Sequence, residues 1–76
     1  MDNLLDRIPL DPKICNGKPT IRSLRITVKT VLEYLAAGET AEKILAAYPV
    51  LKREDVLAAM QYAVKMSDHE VIAKSV

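Results

Sequence analysis

From Thr27 to Met66 the apolar residues return at the helical period. Val28, Val31, Leu32, Leu35 and Ala36 form one stripe at i, i+3, i+4, i+7 and i+8. Thr27 is placed to cap its start, and Gly38 suits the left-handed position beyond its end. Ala41, Ile44, Leu45 and Tyr48 repeat the stripe in a second helix that begins at Thr40 and stops before Pro49. The third helix is predicted from about Arg53 to Met66. One stripe there is Val56, Ala59, Met60 and Ala63, and a second, Leu57 and Val64, runs beside it. Glu54 and Asp55 in its first turn and Lys65 in its last match the helix dipole. The tail Asp68–Val76 carries Val71, Ile72 and Val76 and either continues the helix or frays.

Before Thr27 the pattern is different. Pro9, Pro12 and Pro19 remove amide donors and bias their neighbours away from the α region. Asn16-Gly17 is a turn dipeptide, flanked by Ile8, Leu10 and Ile14 and by Ile21, Leu24 and Ile26. The segment reads as an extended arm or a short β-hairpin. The links between helices, Gly38-Glu39 and Tyr48–Lys52, are short enough to make each helix a neighbour of the next. The prediction is a single mainly α domain over 1–76: an arm (1–26), a three-helix core (27–66) with helices two and three as a possible helix-turn-helix, and a tail (67–76).

Size changes this picture. A chain of 76 residues buries only roughly 60% of the surface its unfolded form exposes, and such domains commonly need a disulfide, a metal or a partner copy. Cys15 is the only cysteine and His69 the only histidine, which argues against a disulfide and a metal and leaves self-association, a homodimer. Half the residues are hydrophobic and helix three has an apolar face wider than one neighbour requires, which points the same way. The lone thiol and the lack of a signal-like segment predict a cytoplasmic location, and no apolar run approaches the ~20 residues that span a bilayer.

Net charge is +1, but it is unevenly spread. Lys13, Lys18, Arg22, Arg25 and Lys29 lie in a stretch without a carboxylate, while the chain from Glu33 onward is slightly acidic. A clustered basic segment is the electrostatic footprint of a polyanion-binding surface. Helix three offers Arg53, Gln61 and Lys65 to a DNA groove, offset by Glu54 and Asp55. The candidate DNA contacts are therefore Lys13, Lys18, Arg22, Arg25, Lys29 and Arg53, with Arg22 and Arg25 foremost.

Reactive chemistry is sparse. Gly17-Lys18-Pro19-Thr20 fails as a phosphate loop, because Pro12 stands where the motif needs glycine and Pro19 separates the lysine from the hydroxyl. Glu54 and Asp55 are adjacent, so they do not share a helix face and read as first-turn charges. Cys15 and His69 have no catalytic companions nearby and read as ordinary side chains. Tyr34, Tyr48 and Tyr62 make no stacking platform for single strands, and Tyr48 reads as core. No enzyme activity and no cofactor are expected.

The run Ile8-Pro9-Leu10-Asp11-Pro12-Lys13-Ile14-Cys15-Asn16-Gly17-Lys18-Pro19-Thr20-Ile21-Arg22, then Arg25-Ile26, closely resembles the N-terminal motif of the prokaryotic domain of unknown function 433. The resemblance continues through Leu32–Gly38, Ile44-Leu45, Tyr48-Pro49 and Glu54-Asp55-Val56. It implies a homeodomain-like, winged-helix-related fold, and a likeness to VapB-type antitoxins that sit beside a PIN-like ribonuclease toxin. The chain departs from the family pattern at Ser23-Leu24, where Gly-Thr is usual, at Thr27 in place of proline, and at Lys52 in place of a threonine cap.

Two functions follow as expectations. The first is an antitoxin-like adaptor that dimerises, binds operator DNA through the arm and neutralises a PIN-like toxin protein. The second is a protein-interaction module without a nucleic-acid role, in which Arg22 and Arg25 bind carboxylates.

Overall fold

The computed structural model describes residues 3–74, with side chains for residues 3–67. Among them three α-helices follow two short 3₁₀ turns: α1 is Val28–Ala36, α2 is Ala41–Ala47 and α3 is Arg53–Lys74. The Thr27 hydroxyl accepts from the Thr30 amide and the Thr40 hydroxyl from the Lys43 amide, the cap geometry expected of both. Gly38 ends α1 with φ +91°, a conformation open to glycine at little cost. Pro49 ends α2, and the Tyr48 before it leaves the α region.

α3 is longer than the apolar stripe predicts. Neither glycine nor proline follows Met66, so nothing in the chain stops the helix, and its backbone continues to Lys74. The side chains of His69, Val71, Ile72 and Val76 lie outside those described.

The core is formed by Ile8, Ile21, Val28, Val31, Ile44, Leu51, Val56, Ala58 and Ala59. Ala58 and Ala59 let α3 approach its neighbours closely. Met60, expected in the α3 core stripe, is 44% exposed instead. The buried arc of α3 is centred between Asp55 and Ala59, and Met60 falls just past its Val56 edge. Tyr48 is half-buried against this core, and its ring meets Tyr34 edge-on at 5.9 Å. That contact ties the end of α1 to the end of α2.

The N-terminal segment is not a detached arm. Its first turn, Leu4–Arg7, is capped by the Asn3 side chain and packs on α3. Ile8, Thr20 and Ile21 are buried. Antiparallel hydrogen bonds run from Arg22 N to Arg7 O and from Thr20 N to Pro9 O, and Ile21 N bonds Ile26 O. A single isolated bridge, Thr20 with Thr27, is the only β pairing among the described residues, so no strand forms. Pro9 and Pro19 explain this, because each removes a donor that a second ladder bond would need.

Candidate functional site: a basic face beside an apolar groove

Two arginines lock the N-terminal segment to α3. Arg22 and Ser23 are the central residues of a tight turn closed by Leu24 N to Ile21 O, and both have positive φ, 49° and 64°. The turn directs the Arg22 guanidinium onto Asp55, whose side chain is fully buried. Asp55 Oδ1 accepts from Arg22 Nε at 3.0 Å and from Arg7 Nη1 at 2.9 Å. Its Oδ2 accepts from Arg22 Nη2 at 3.0 Å and from the Lys52 amide at 2.8 Å. Arg22 Nη2 also donates to Val50 O at 3.0 Å.

Each carboxylate oxygen therefore has two donors, which is what a buried charge requires. Burial pushes the Asp55 carboxyl upward, but the Arg22 fork, the Lys52 amide and Arg7 outweigh it and hold it below the usual carboxylate range. The same pairing raises the Arg22 guanidinium. Lys52, with no side-chain acceptor to cap α3, has its own amide capped from the third helical position by Asp55. This is the return half of a capping box.

The six cations predicted to contact DNA are thus in different states. Arg22 is engaged with Asp55. Arg53 Nη2 lies 2.7 Å from Glu42 Oε2, and the Arg53 hydrogen bond holds the Glu42 carboxyl below its ordinary value. Lys29 pairs with Glu33 at 3.2 Å one helical turn on, in a solvent-exposed pair. Lys13, Lys18 and Arg25 are exposed and make no ion pair among the described residues. Arg7 and Asp55 were not among the candidates, and the signal that could have found them is the missing cap at Lys52.

Next to Lys18 an open groove of about 750 Å³ runs between α1 and α3. Val28, Leu32 and Ala36 form one wall, Tyr62, Ala63 and Met66 the other, and Pro19 closes one end. Lys18, Lys29 and Glu33 stand on its rim. Ser67 at the edge donates its hydroxyl to Ala63 O at 2.8 Å, so the wall beneath it stays apolar. Such a surface has the chemistry to take the apolar side of an amphipathic helix and to meet its carboxylates at the rim.

No helix among the described residues is long and apolar enough to cross a membrane. No solved structure matches the chain. It is 38% identical over 52 residues to Uncharacterized protein y4eO of Sinorhizobium fredii (strain NBRC 101917 / NGR234), a match covering 68% of this chain. The match covers 24% of that protein, so the chain spans about a quarter of its relative's length. Residues 8–63, which include the Arg22–Asp55 pair and most of the groove but not Arg7, match the family described as Protein of unknown function (DUF433). The chain belongs to the DUF433 family.

Proposed function

We propose that the chain is an antitoxin-like adaptor that binds a protein partner in the groove between α1 and α3 and DNA through its free basic residues. The observation that carries the reading is the groove itself. It is apolar along its walls, open to solvent and rimmed by Lys18 and by the Lys29–Glu33 pair, which suits the apolar side of an amphipathic helix with a carboxylate placed to meet Lys18. The partner class is a PIN-like nuclease, as the resemblance to VapB-type antitoxins suggests. In this reading α2 and α3, joined through Tyr48–Lys52, take the helix-turn-helix role, and Lys13, Lys18 and Arg25 make the phosphate contacts.

The test is co-expression with the product of the adjacent gene, followed by titration of the purified pair. An Ala63→Glu variant, which puts a charge on the groove wall, is expected to lose binding while Lys13→Ala keeps it. Equal binding by wild type and Ala63→Glu overturns the protein-binding half. For the DNA half, a mobility shift with the chain's own upstream DNA is expected to weaken steeply between about 50 and 200 mM salt. Absence of a shift at low salt overturns it.

A second reading, a protein-interaction module with no nucleic-acid role, is favoured by one observation. Arg22, the foremost expected phosphate contact, spends its guanidinium on Asp55 and Val50. A groove-bound partner together with no mobility shift selects it.

A further inference from the structure

Opposite its buried arc, α3 carries a second apolar line. Leu57, Met60 and Val64 are 45%, 44% and 68% exposed. At spacings i, i+3 and i+7 they fall within about 60° of one another on the helix surface, the arrangement of a coiled-coil seam. The seam lies across the helix from the core residues Ala58 and Ala59 and borders the third, Val56, one turn before Met60. It adjoins the groove along one flank, where Ala63 and Ser67 lie, while Tyr62 and Met66 of the groove's α3 wall point away from it.

We infer that this seam is the contact between two copies of the chain, with their α3 helices packed antiparallel about a twofold axis near Met60. Arg53 lies on the seam line one turn before Leu57 and is taken up by Glu42; the charges beside the seam argue for both the occupant and the direction. Glu54 and Lys65 lie on the same flank of the seam, on either side of Gln61, and neither makes an ion pair among the described residues. In an antiparallel pair each flank meets its own counterpart. With Leu57 set against the partner's Val64, Glu54 comes within about two residues, ~3 Å of helix rise, of the partner's Lys65. The twofold repeats the ion pair, so the surface complements itself. A parallel pair would set this flank against the opposite one, where Lys65 meets only Ala63 and Ser67 and finds no carboxylate. The two Met60 side chains then sit astride the axis, where their flexibility fills the gap between backbones.

This inference concerns the self-association of the proposed adaptor and rests on the seam, not on the groove that it borders. The experiment is sedimentation equilibrium of the whole chain from low micromolar to submillimolar concentration, with helical content followed by circular dichroism. The wild type is expected at twice its 8.4 kDa mass at the upper end of the range. Leu57→Glu with Val64→Glu is expected to stay monomeric throughout with unchanged helical signal, since both positions are exposed. Glu54→Lys and Lys65→Glu alone are each expected to weaken association about tenfold, and the two together to restore it. A wild type that is monomeric throughout overturns the inference, as does a folded Leu57→Glu, Val64→Glu variant that still dimerises. Charge variants whose double swap gives no recovery overturn the antiparallel direction. Ala36→Glu charges the exposed α1 wall of the groove, away from the seam: loss of partner binding in that variant with the dimer intact leaves this interface standing, and the converse leaves the groove standing.

Discussion

Arg22 reaches across 33 residues of sequence to hold Asp55 through two nitrogens, Nε at 3.0 Å and Nη2 at 3.0 Å. Around this fork the N-terminal segment, the α2–α3 link and the first turn of α3 meet. Removing one partner of a buried ion pair costs about 3–5 kcal/mol, because the other charge is left without compensation. That is comparable to the whole stability of a small domain. Arg22→Ala leaves the fully buried Asp55 carboxylate with Arg7 as its one remaining cation, and is therefore expected to lose much of the domain's stability in urea unfolding. Asp55→Ala leaves two partly exposed arginines that water can reach, and is expected to lose less. Arg22→Lys keeps the charge but loses the fork, and it should lower the urea midpoint clearly.

The same pair sets how stability depends on pH. The Asp55 carboxyl is held below its ordinary value in the folded chain, so the unfolded chain takes up its proton first. The stabilisation is present in full above the ordinary carboxylate value of about 4 and is lost as pH falls through the lower folded value. Urea unfolding is expected to be flat near neutrality with respect to this group and to weaken below about pH 4. Asp55→Asn, if its folded state is populated, should have a shallower acid limb.

Ser23 sits at φ 64°, beside Arg22 at φ 49°. A left-handed conformation costs a non-glycine residue about 1–2 kcal/mol. The glycine that the family resemblance implies here would relieve that strain. Ser23→Gly is expected to raise stability by up to about 1 kcal/mol, offset in part by the greater freedom of glycine in the unfolded chain. Thermal unfolding measures it, and an unchanged or lower midpoint would show the turn to be unstrained.

Thr20 is fully buried and its Oγ1 finds no hydrogen-bond partner. An orphaned buried hydroxyl costs about 1–3 kcal/mol. Thr20→Val keeps the branched shape and removes the polar atom. It is expected to stabilise the fold by about 1 kcal/mol without altering its helical content.

Arg22 and Arg25 are expected to separate in function. Arg25→Ala and Lys18→Ala should each reduce any DNA binding and flatten its salt dependence by roughly one contact, with thermal stability unchanged. Arg22→Ala should lower stability first, and its loss of binding should track the unfolded fraction.

The helices were legible because each rests on local chemistry: the period of Val28, Val31 and Leu35, the caps at Thr27 and Thr40, and the stop at Pro49. The N-terminal segment was only half legible. Its prolines and Asn16-Gly17 foretold turns, yet its fold onto α3 depends on Arg7 and Arg22 finding a carboxylate 48 and 33 residues away. No local pattern encodes such a distance. Asp55 looks like an ordinary first-turn charge until the Lys52 amide beside it is seen to need a cap. Among the basic residues, the pairing of Lys29 with Glu33 is an i, i+4 spacing that the sequence itself carries, but only three dimensions separate Lys13, Lys18 and Arg25 from Arg22 and Arg53, whose carboxylates are far along the chain. The groove was hidden for a similar reason, because its two walls come from helices with another helix between them in sequence.

The lock at Asp55 has a consequence for protease susceptibility. Trypsin cleaves after basic residues in segments that can open locally. Arg7 and Arg22 present their guanidinium groups to Asp55, and Lys18 is shielded by the proline that follows it. Lys13 and Arg25 remain exposed. A nick at Lys13 should leave two fragments that stay together, since Arg7 on the shorter piece still grips Asp55 on the longer one. The N-terminal peptide would then behave as a separable ligand of its own domain, released when that carboxylate is protonated.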